Sequence, residues 1–185
     1  MKMKIIALLG SPRKGGNTET LADAFLEGAK SKDAVVEKIR LNKLRIRGCQ
    51  ACLACHKAGK CAQKDDMKKV YKKMLKADVW LFVSPVYWWG PTAQIKAAID
   101  RMYCFAFGNN PKKIEGKKAV LITACADEVE LATPYLFGMM KESTSFLKME
   151  WAGEIAVKAW KKGEAAQNKQ ALQKARKLGV KVASL

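Results

Sequence analysis

Three short, almost unbroken apolar runs constrain this chain more than any other feature: Lys4 to Leu9, Val79 to Val83 and Ala119 to Thr123. Each is too short for a buried helix, and none alternates apolar with polar as a half-solvated strand does. Such a run belongs to a strand covered on both faces. Stretches with helical spacing lie between them. Leu21, Ala22, Phe25 and Ala29 follow Asn17 and Thr18, either of which can act as N-cap. Met67, Val70, Met74 and Leu75 follow Asp65 and Asp66, which supply caps and dipole-matched charge. Ile95, Ala98, Ile99 and Met102 follow Pro91, which suits the first turn of a helix. Ser84-Pro85 is expected to end the third strand. Further elements are a strand over 34–39, a helix within 134–147, a weaker fifth strand over 151–157, and a basic amphipathic helix over 165–182 that turns Ala171, Leu172, Ala175 and Leu178 inward. Alternating strands and helices imply parallel pairing with right-handed crossovers. The expected fold is therefore α/β: a doubly wound five-stranded parallel sheet of order 2-1-3-4-5, helices on both faces, with ligand at the carboxyl ends of strands 1, 3 and 4.

At 185 residues the chain predicts one domain over 1–185, carrying a cysteine-rich loop at 48–64. No window approaches the ~18 apolar residues of a membrane span. The basic start runs into a buried strand and shows no secretory cleavage site, so the expectation is a cytoplasmic protein. Lys and Arg number 35 against 17 acids, a formal charge of +18. That field favours acidic partners. The lysines are nevertheless spread along the chain, and no zinc-finger spacing, RNA-binding aromatic signature or helix-turn-helix accompanies them, so no specific nucleic-acid or membrane partner is expected.

The segment Gly10-Ser11-Pro12-Arg13-Lys14-Gly15-Gly16-Asn17-Thr18 joins the first strand to the first helix. A phosphate needs inward-pointing N–H groups, a helix N-terminus behind them and short donors nearby. Gly15 leaves the backbone open, Ser11, Asn17 and Thr18 are the donors, and Arg13 brings charge. The segment is neither a dinucleotide G-x-G-x-x-G nor a P-loop ending in G-K-[ST]. It resembles the phosphate loop of the NADPH-dependent FMN reductase family, flavodoxin-like proteins that bind FMN without covalent attachment. The likeness continues through Asp65-Asp66-Met67, Ser84-Pro85-Val86-Tyr87-Trp88-Trp89-Gly90 and Gln94 to Arg101, roughly the first two thirds of the chain.

The resemblance implies FMN as cofactor and NAD(P)H as co-substrate, with electrons passing to a small acceptor such as a quinone, nitroaromatic or free flavin. It also implies that Pro85, Val86, Tyr87 and Trp88 line the flavin ring and that Thr123 and its neighbours flank it. Trp89 is as consistent with packing between copies, since family members pair as homodimers or homotetramers over this region. The aromatic residues suit a flat, mostly apolar ring. Hydride transfer to a flavin needs stacking and orientation from the protein, so no catalytic side chain is nominated.

Four of the six cysteines fall within 13 residues as Cys49-x2-Cys52-x2-Cys55-x5-Cys61. Such spacing can wrap a [4Fe–4S] cluster. Zinc and a loop of free thiols remain open alternatives, with His56 as a competing ligand or an exposed loop residue. The segment resembles the compact motif of iron–sulfur flavoproteins, in which a [4Fe–4S] cluster exchanges electrons with FMN. That likeness implies a relay from an acidic, ferredoxin-like carrier. A flavodoxin-type carrier with no substrate of its own is the third reading. Cys104 and Cys125 read as small buried residues.

Overall fold

The computed structural model describes residues 2–185. Five strands, β1 (Lys4–Leu9), β2 (Val35–Arg40), β3 (Val79–Pro85), β4 (Lys118–Cys125) and β5 (Glu150–Lys158), form one sheet of order β2-β1-β3-β4-β5. Every neighbouring pair is parallel. Side chains alternate across the sheet, so the apolar runs feed two cores. Ile5, Ala7, Leu9, Val79, Leu81 and Val83 face helices α1 (Asn17–Lys30) and α9 (Lys169–Ala183). Ile6, Leu8, Trp80, Phe82 and Leu121 face α3 (Met67–Lys76), α4 (Ala93–Arg101) and α7 (Pro134–Phe146). Between these lie short helical turns: α2 (Ala54–Ala58), α5 (Pro111–Ile114), α6 (Val129–Ala132) and α8 (Glu164–Gln167). No helix among the described residues is long and apolar enough to cross a membrane.

The expected order and parallel pairing of the sheet hold, and local details differ. β3 includes Ser84 and Pro85, which pair with Thr123 and Ala124. A proline in the last position removes only one ladder donor, and Val86 resumes pairing by donating to the Ala124 carbonyl at 2.9 Å. Pro91 lies ahead of α4 and outside its first turn. Thr92 is the N-cap, held extended because its N–H donates to Ser84 Oγ at 3.0 Å and its hydroxyl to the Gly10 carbonyl at 2.7 Å. The closing helix is broken at Asn168, whose side chain accepts the Ala171 N–H at 2.9 Å and so caps α9 as a separate helix. Leu172 and Leu178 pack only at the margin of the core, while Gly179 and Val182 are buried. Gly179 and Gly28 let α9 cross α1 at backbone distance: a Cβ on Gly179 would collide with the Phe25 carbonyl, and one on Gly28 with that of Arg176. The cysteine segment is also not wholly loop, since α2 carries Cys55.

Candidate functional site

The turn after β1 is built into the sheet before any ligand arrives. Gly10 donates to the Val83 carbonyl at 2.7 Å. A Cβ at Gly10 would sit 2.7 Å from Ile95 Cβ and 2.9 Å from Thr92 Oγ1, so a glycine is required there by close approach. Gly15 takes φ +63°, the left-handed turn that feeds α1. Its N–H is not free for a ligand, because it donates to Glu19 Oε2 at 2.7 Å. Glu19 is buried and also pairs with Arg40 and, at 3.6 Å, with Lys38. Burial alone would raise the Glu19 carboxyl, but the Gly15 N–H and the Arg40 guanidinium hold it below its ordinary value. Glu19 thus fixes the turn as a permanent anion behind it. Sequence reasoning missed this residue, although an acid in the first turn of a helix after a glycine pair was a visible signal.

Neither expected N-cap fills that role. Gly16 is the N-cap of α1, with no side-chain cap. Asn17 is turned away: its amide donates to the Lys161 carbonyl at 2.8 Å and the Ala159 carbonyl at 3.2 Å, and its oxygen accepts the Gly163 N–H at 3.0 Å. It clamps the loop after β5 to the start of α1. The helix entrance is therefore left without a side-chain acceptor, the condition in which an exogenous anion is favoured.

A crevice of about 90 Å³ opens at this entrance. Ser11, Arg13, Asn17, Thr18, Pro85, Val86 and Tyr87 all line it, so the structure brings together residues from two separate expected motifs. Gly15, Trp88 and Thr123 do not line it. Thr123 is buried with its hydroxyl unpartnered, and Ala124, Cys125 and Ala126 supply the β4 side instead. Ala159, Trp160 and Lys162 come from the loop after β5, which sequence reasoning did not nominate. The 2-1-3-4-5 order, which brings the β5 end to the same edge, was the available signal. Cys125 is a neutral thiol: burial raises it, as do Asp127, Glu128 and Glu130 nearby. The volume suits a phosphate and falls short of the about 300–1,000 Å³ of a site that encloses a whole cofactor. Hydroxyls, an uncapped helix entrance, Arg13 and Lys162 are a donor set that fits a flavin phosphate.

Beside the crevice, Tyr87 to Gly90 closes as a tight turn, with Tyr87 N–H to Gly90 O at 2.9 Å and Gly90 N–H to Tyr87 O at 3.0 Å. Its two central residues, Trp88 and Trp89, both take positive φ, +48° and +58°. Such a turn is normally made by Asn or Gly. The rings are 91% and 51% exposed. An open aromatic shelf thus stands next to the crevice.

The cysteine segment is fastened at both ends. Arg101 on α4 donates to the Arg47 carbonyl at 2.9 Å and to both Asp65 oxygens at 2.8 and 3.2 Å. The pair is buried, its side chains 1% and 5% exposed. Burial would raise Asp65, but Arg101 and the Arg47 N–H hold it below the ordinary carboxylate value. Between these anchors, Cys49 and Cys52 are exposed and Cys55 and Cys61 half-buried, all as free thiols. Ala51 and Leu53, between the thiols, sit at φ +49° and +55°. Burial raises the Cys55 thiol, and Cys61, Cys49 and Cys52 raise it further. Among the described residues no three metal-ligating side chains stand close enough to hold an ion. The donor set, four thiols on a stapled loop, fits a cluster on which the loop closes. His56 is held elsewhere, 3.2 Å from the Tyr103 hydroxyl and stacked on Phe107.

The family model of NADPH-dependent FMN reductases matches residues 3–140. An iron–sulfur flavoprotein from Archaeoglobus fulgidus is 31% identical over 183 residues, 98% of this chain and 79% of the relative. One from Methanosarcina thermophila is 39% identical over 99 residues, 54% of this chain and 52% of that protein, so the chain spans about half the length of that relative. Among solved structures, an FMN-dependent NADH-azoreductase from Bacillus anthracis in complex with FMN superposes with a TM-score of 0.71 at 14% identity, covering 99% of this chain and 100% of that one.

Proposed function

The chain belongs to the NADPH-dependent FMN reductase family of flavoprotein oxidoreductases, and we propose that it binds FMN in the crevice and exchanges electrons between that flavin and a [4Fe–4S] cluster on Cys49, Cys52, Cys55 and Cys61. The observation that carries this reading is the convergence of Ser11, Arg13 and Thr18 with Pro85 to Tyr87 on one crevice. When bound, FMN supplies one- and two-electron chemistry and the cluster one-electron chemistry. The chain's own groups do the rest. Ser11 and Thr18 hydroxyls and the entrance of α1 receive the phosphate, and Arg13 and Lys162 offset its charge. Tyr87 and Trp88 offer faces for stacking. Four thiolates hold the cluster, and Arg101 with Asp65 keeps the ends of their loop in place. The relatives named as iron–sulfur flavoproteins support the cluster.

A second reading is direct transfer from NAD(P)H to a small acceptor, favoured by the open shelf at Trp88, where a flat molecule can stack. The chain is examined by purifying it without air, measuring iron and the visible spectrum, and titrating FMN by fluorescence quenching. Thr18→Val, which keeps volume and removes the hydroxyl, is expected to weaken FMN binding about 10- to 100-fold, the loss of a bond to a charged group. An unchanged affinity would remove the phosphate from this crevice. Near-zero iron, with NAD(P)H oxidation intact, would leave the second reading in possession.

A further inference from the structure

A larger concavity lies apart from the flavin crevice and shares no lining residue with it. It is a pocket of about 730 Å³ between the end of the cysteine segment, α3 and the turn around Cys104. Its floor is apolar and aromatic, with Tyr71, Leu75 and Phe105, the Tyr71 and Phe105 rings meeting edge to face at 5.2 Å. Its rim is Lys60, Lys64, Lys68, Lys72 and Lys113, with no carboxylate in the lining.

The rim is not simply a sample of a lysine-rich surface. On α3 itself, Lys69 pairs with Asp66 at 3.5 Å and Lys73 pairs with Glu37. One position earlier in each case, Lys68 and Lys72 point to the pocket, and none of the five rim lysines is in an ion pair among the described residues. Lys68 and Lys72 are one turn apart on a helix, where like charges destabilise. Their repulsion is left uncompensated on one flank and compensated on the other. A second copy of this chain, with a formal charge of +18, is a poor occupant for a basic cavity. The rim charges are ammonium groups, which hold phosphate oxygens as flexible point charges. The volume lies within the range of small-ligand sites.

We propose that this pocket binds an oligophosphate, its phosphates on the lysine rim and any apolar body, such as a nucleoside, on the Tyr71–Phe105 floor. The proposal goes beyond the flavin reading, with which it shares one residue, Cys61, in the pocket wall. Because Cys61 and Gln63 lie in the wall, and Gln63 donates to the Gly48 carbonyl at 2.9 Å, an occupant also bears on both ends of the cysteine segment.

The test is calorimetric titration of the FMN-loaded protein with adenosine 5′-triphosphate, inorganic tripolyphosphate and adenosine in about 0.15 M salt, where loose surface attraction is screened. Saturable binding of one triphosphate per chain is expected, weakened at least about tenfold in Lys68→Glu/Lys72→Glu and less than about twofold in the control Lys174→Glu/Lys177→Glu on α9. Lys68→Gln/Lys72→Gln, with unchanged circular dichroism, guards against a folding defect. Tighter binding of the nucleotide than of tripolyphosphate engages the floor as well; equal binding assigns the site to the phosphates alone, and either supports an oligophosphate site. No saturation, or equal losses in the two lysine pairs, overturns it.

Discussion

The crevice at the α1 entrance and the cysteine segment are both built on loops outside the same sheet, yet they are held in different ways. Around the crevice the backbone turns are tied to the sheet and the first helix: Gly10 to Val83, Thr92 to Gly10 and Ser84, and Gly15 to Glu19 on α1. The cysteine segment is stapled at its ends by one buried arginine and steadied between them by side chains, Asn110 on the Gly59 carbonyl and His56 against Tyr103, while its Cys49 and Cys52 thiols lie on an exposed stretch with left-handed Ala51 and Leu53. A phosphate offers a few kcal/mol through hydrogen bonds and charge, so the protein must pay the ordering entropy in advance. Metal–thiolate bonds are strong enough to order their own loop, so that segment needs only to be brought to the right place.

The sharpest way to break this contrast is to remove a thiol. Cys55→Ser is expected to take the anaerobic protein from about four irons per chain to less than about one. FMN affinity should stay within about twofold, since no cysteine of the segment reaches the crevice. A variant that keeps its iron would remove Cys55 from the cluster, and one that loses FMN as well would show the two regions to be one.

Next in size is the staple. Asp65→Asn leaves the Arg101 guanidinium buried beside a neutral amide, a change that costs about 3–5 kcal/mol in buried ion pairs. Denaturation should report that loss, and iron retention should fall with it while FMN binding at 25 °C persists. The pH dependence has a definite sign. Asp65 is depressed on folding from an ordinary 3.8, so its stabilisation is complete above that value and disappears as pH falls through the lower, folded one. The wild type is expected to be flat from about pH 8 to 5 in this contribution and to lose it below about pH 4. Asp65→Asn should lack that acid step. A step that survives in the variant would place it on another carboxylate.

Gly179→Ala sharpens the comparison from outside both regions. The new methyl meets the Phe25 carbonyl where α9 crosses α1, and overpacking of this kind costs about 1–3 kcal/mol. The melting temperature should fall by roughly 2–12 °C for a chain of this size. Iron content and FMN affinity, measured well below the transition, should not change. Selective loss of either would mean that the helix pair on the far face supports that site directly.

How much of this was legible beforehand follows from the physics of each part. The sheet order was readable because a parallel strand buried on both faces is apolar throughout, and Val79 to Val83 has no other use for that pattern. The crevice was readable where backbone chemistry repeats, at Ser11, Arg13, Thr18 and Pro85 to Tyr87. It was less legible where a residue type suits two jobs: Asn17 lines the crevice and also clamps the loop after β5, and the second job shows only where the chain returns at Ala159 and Lys161. Glu19 was missed because its charge partner Arg40 sits on β2, and Trp160 because it follows a fifth strand whose end carries no motif. The break at Asn168 was invisible to periodicity, since Ala165 and Ala171 both fall on the inner face across it.

The smallest effect in stability tests the shelf beside the crevice. Trp88 holds φ +48° while 91% exposed, and its one aromatic contact is the tilted, itself half-exposed Trp89 ring at 5.9 Å, so packing does little to offset the conformation. A non-glycine residue in that region costs about 1–2 kcal/mol, less for Asn, which is at home in this turn. Trp88→Asn is therefore expected to raise stability by about 0.5–1 kcal/mol while weakening FMN binding or slowing electron transfer. That opposition would mean the strain is retained to present an aromatic face. If the variant is less stable in the absence of flavin, the indole has a structural contact, and the turn belongs with the tightly built crevice. If stability rises and flavin chemistry is untouched, Trp88 serves some other surface, and Tyr87 alone carries the ring.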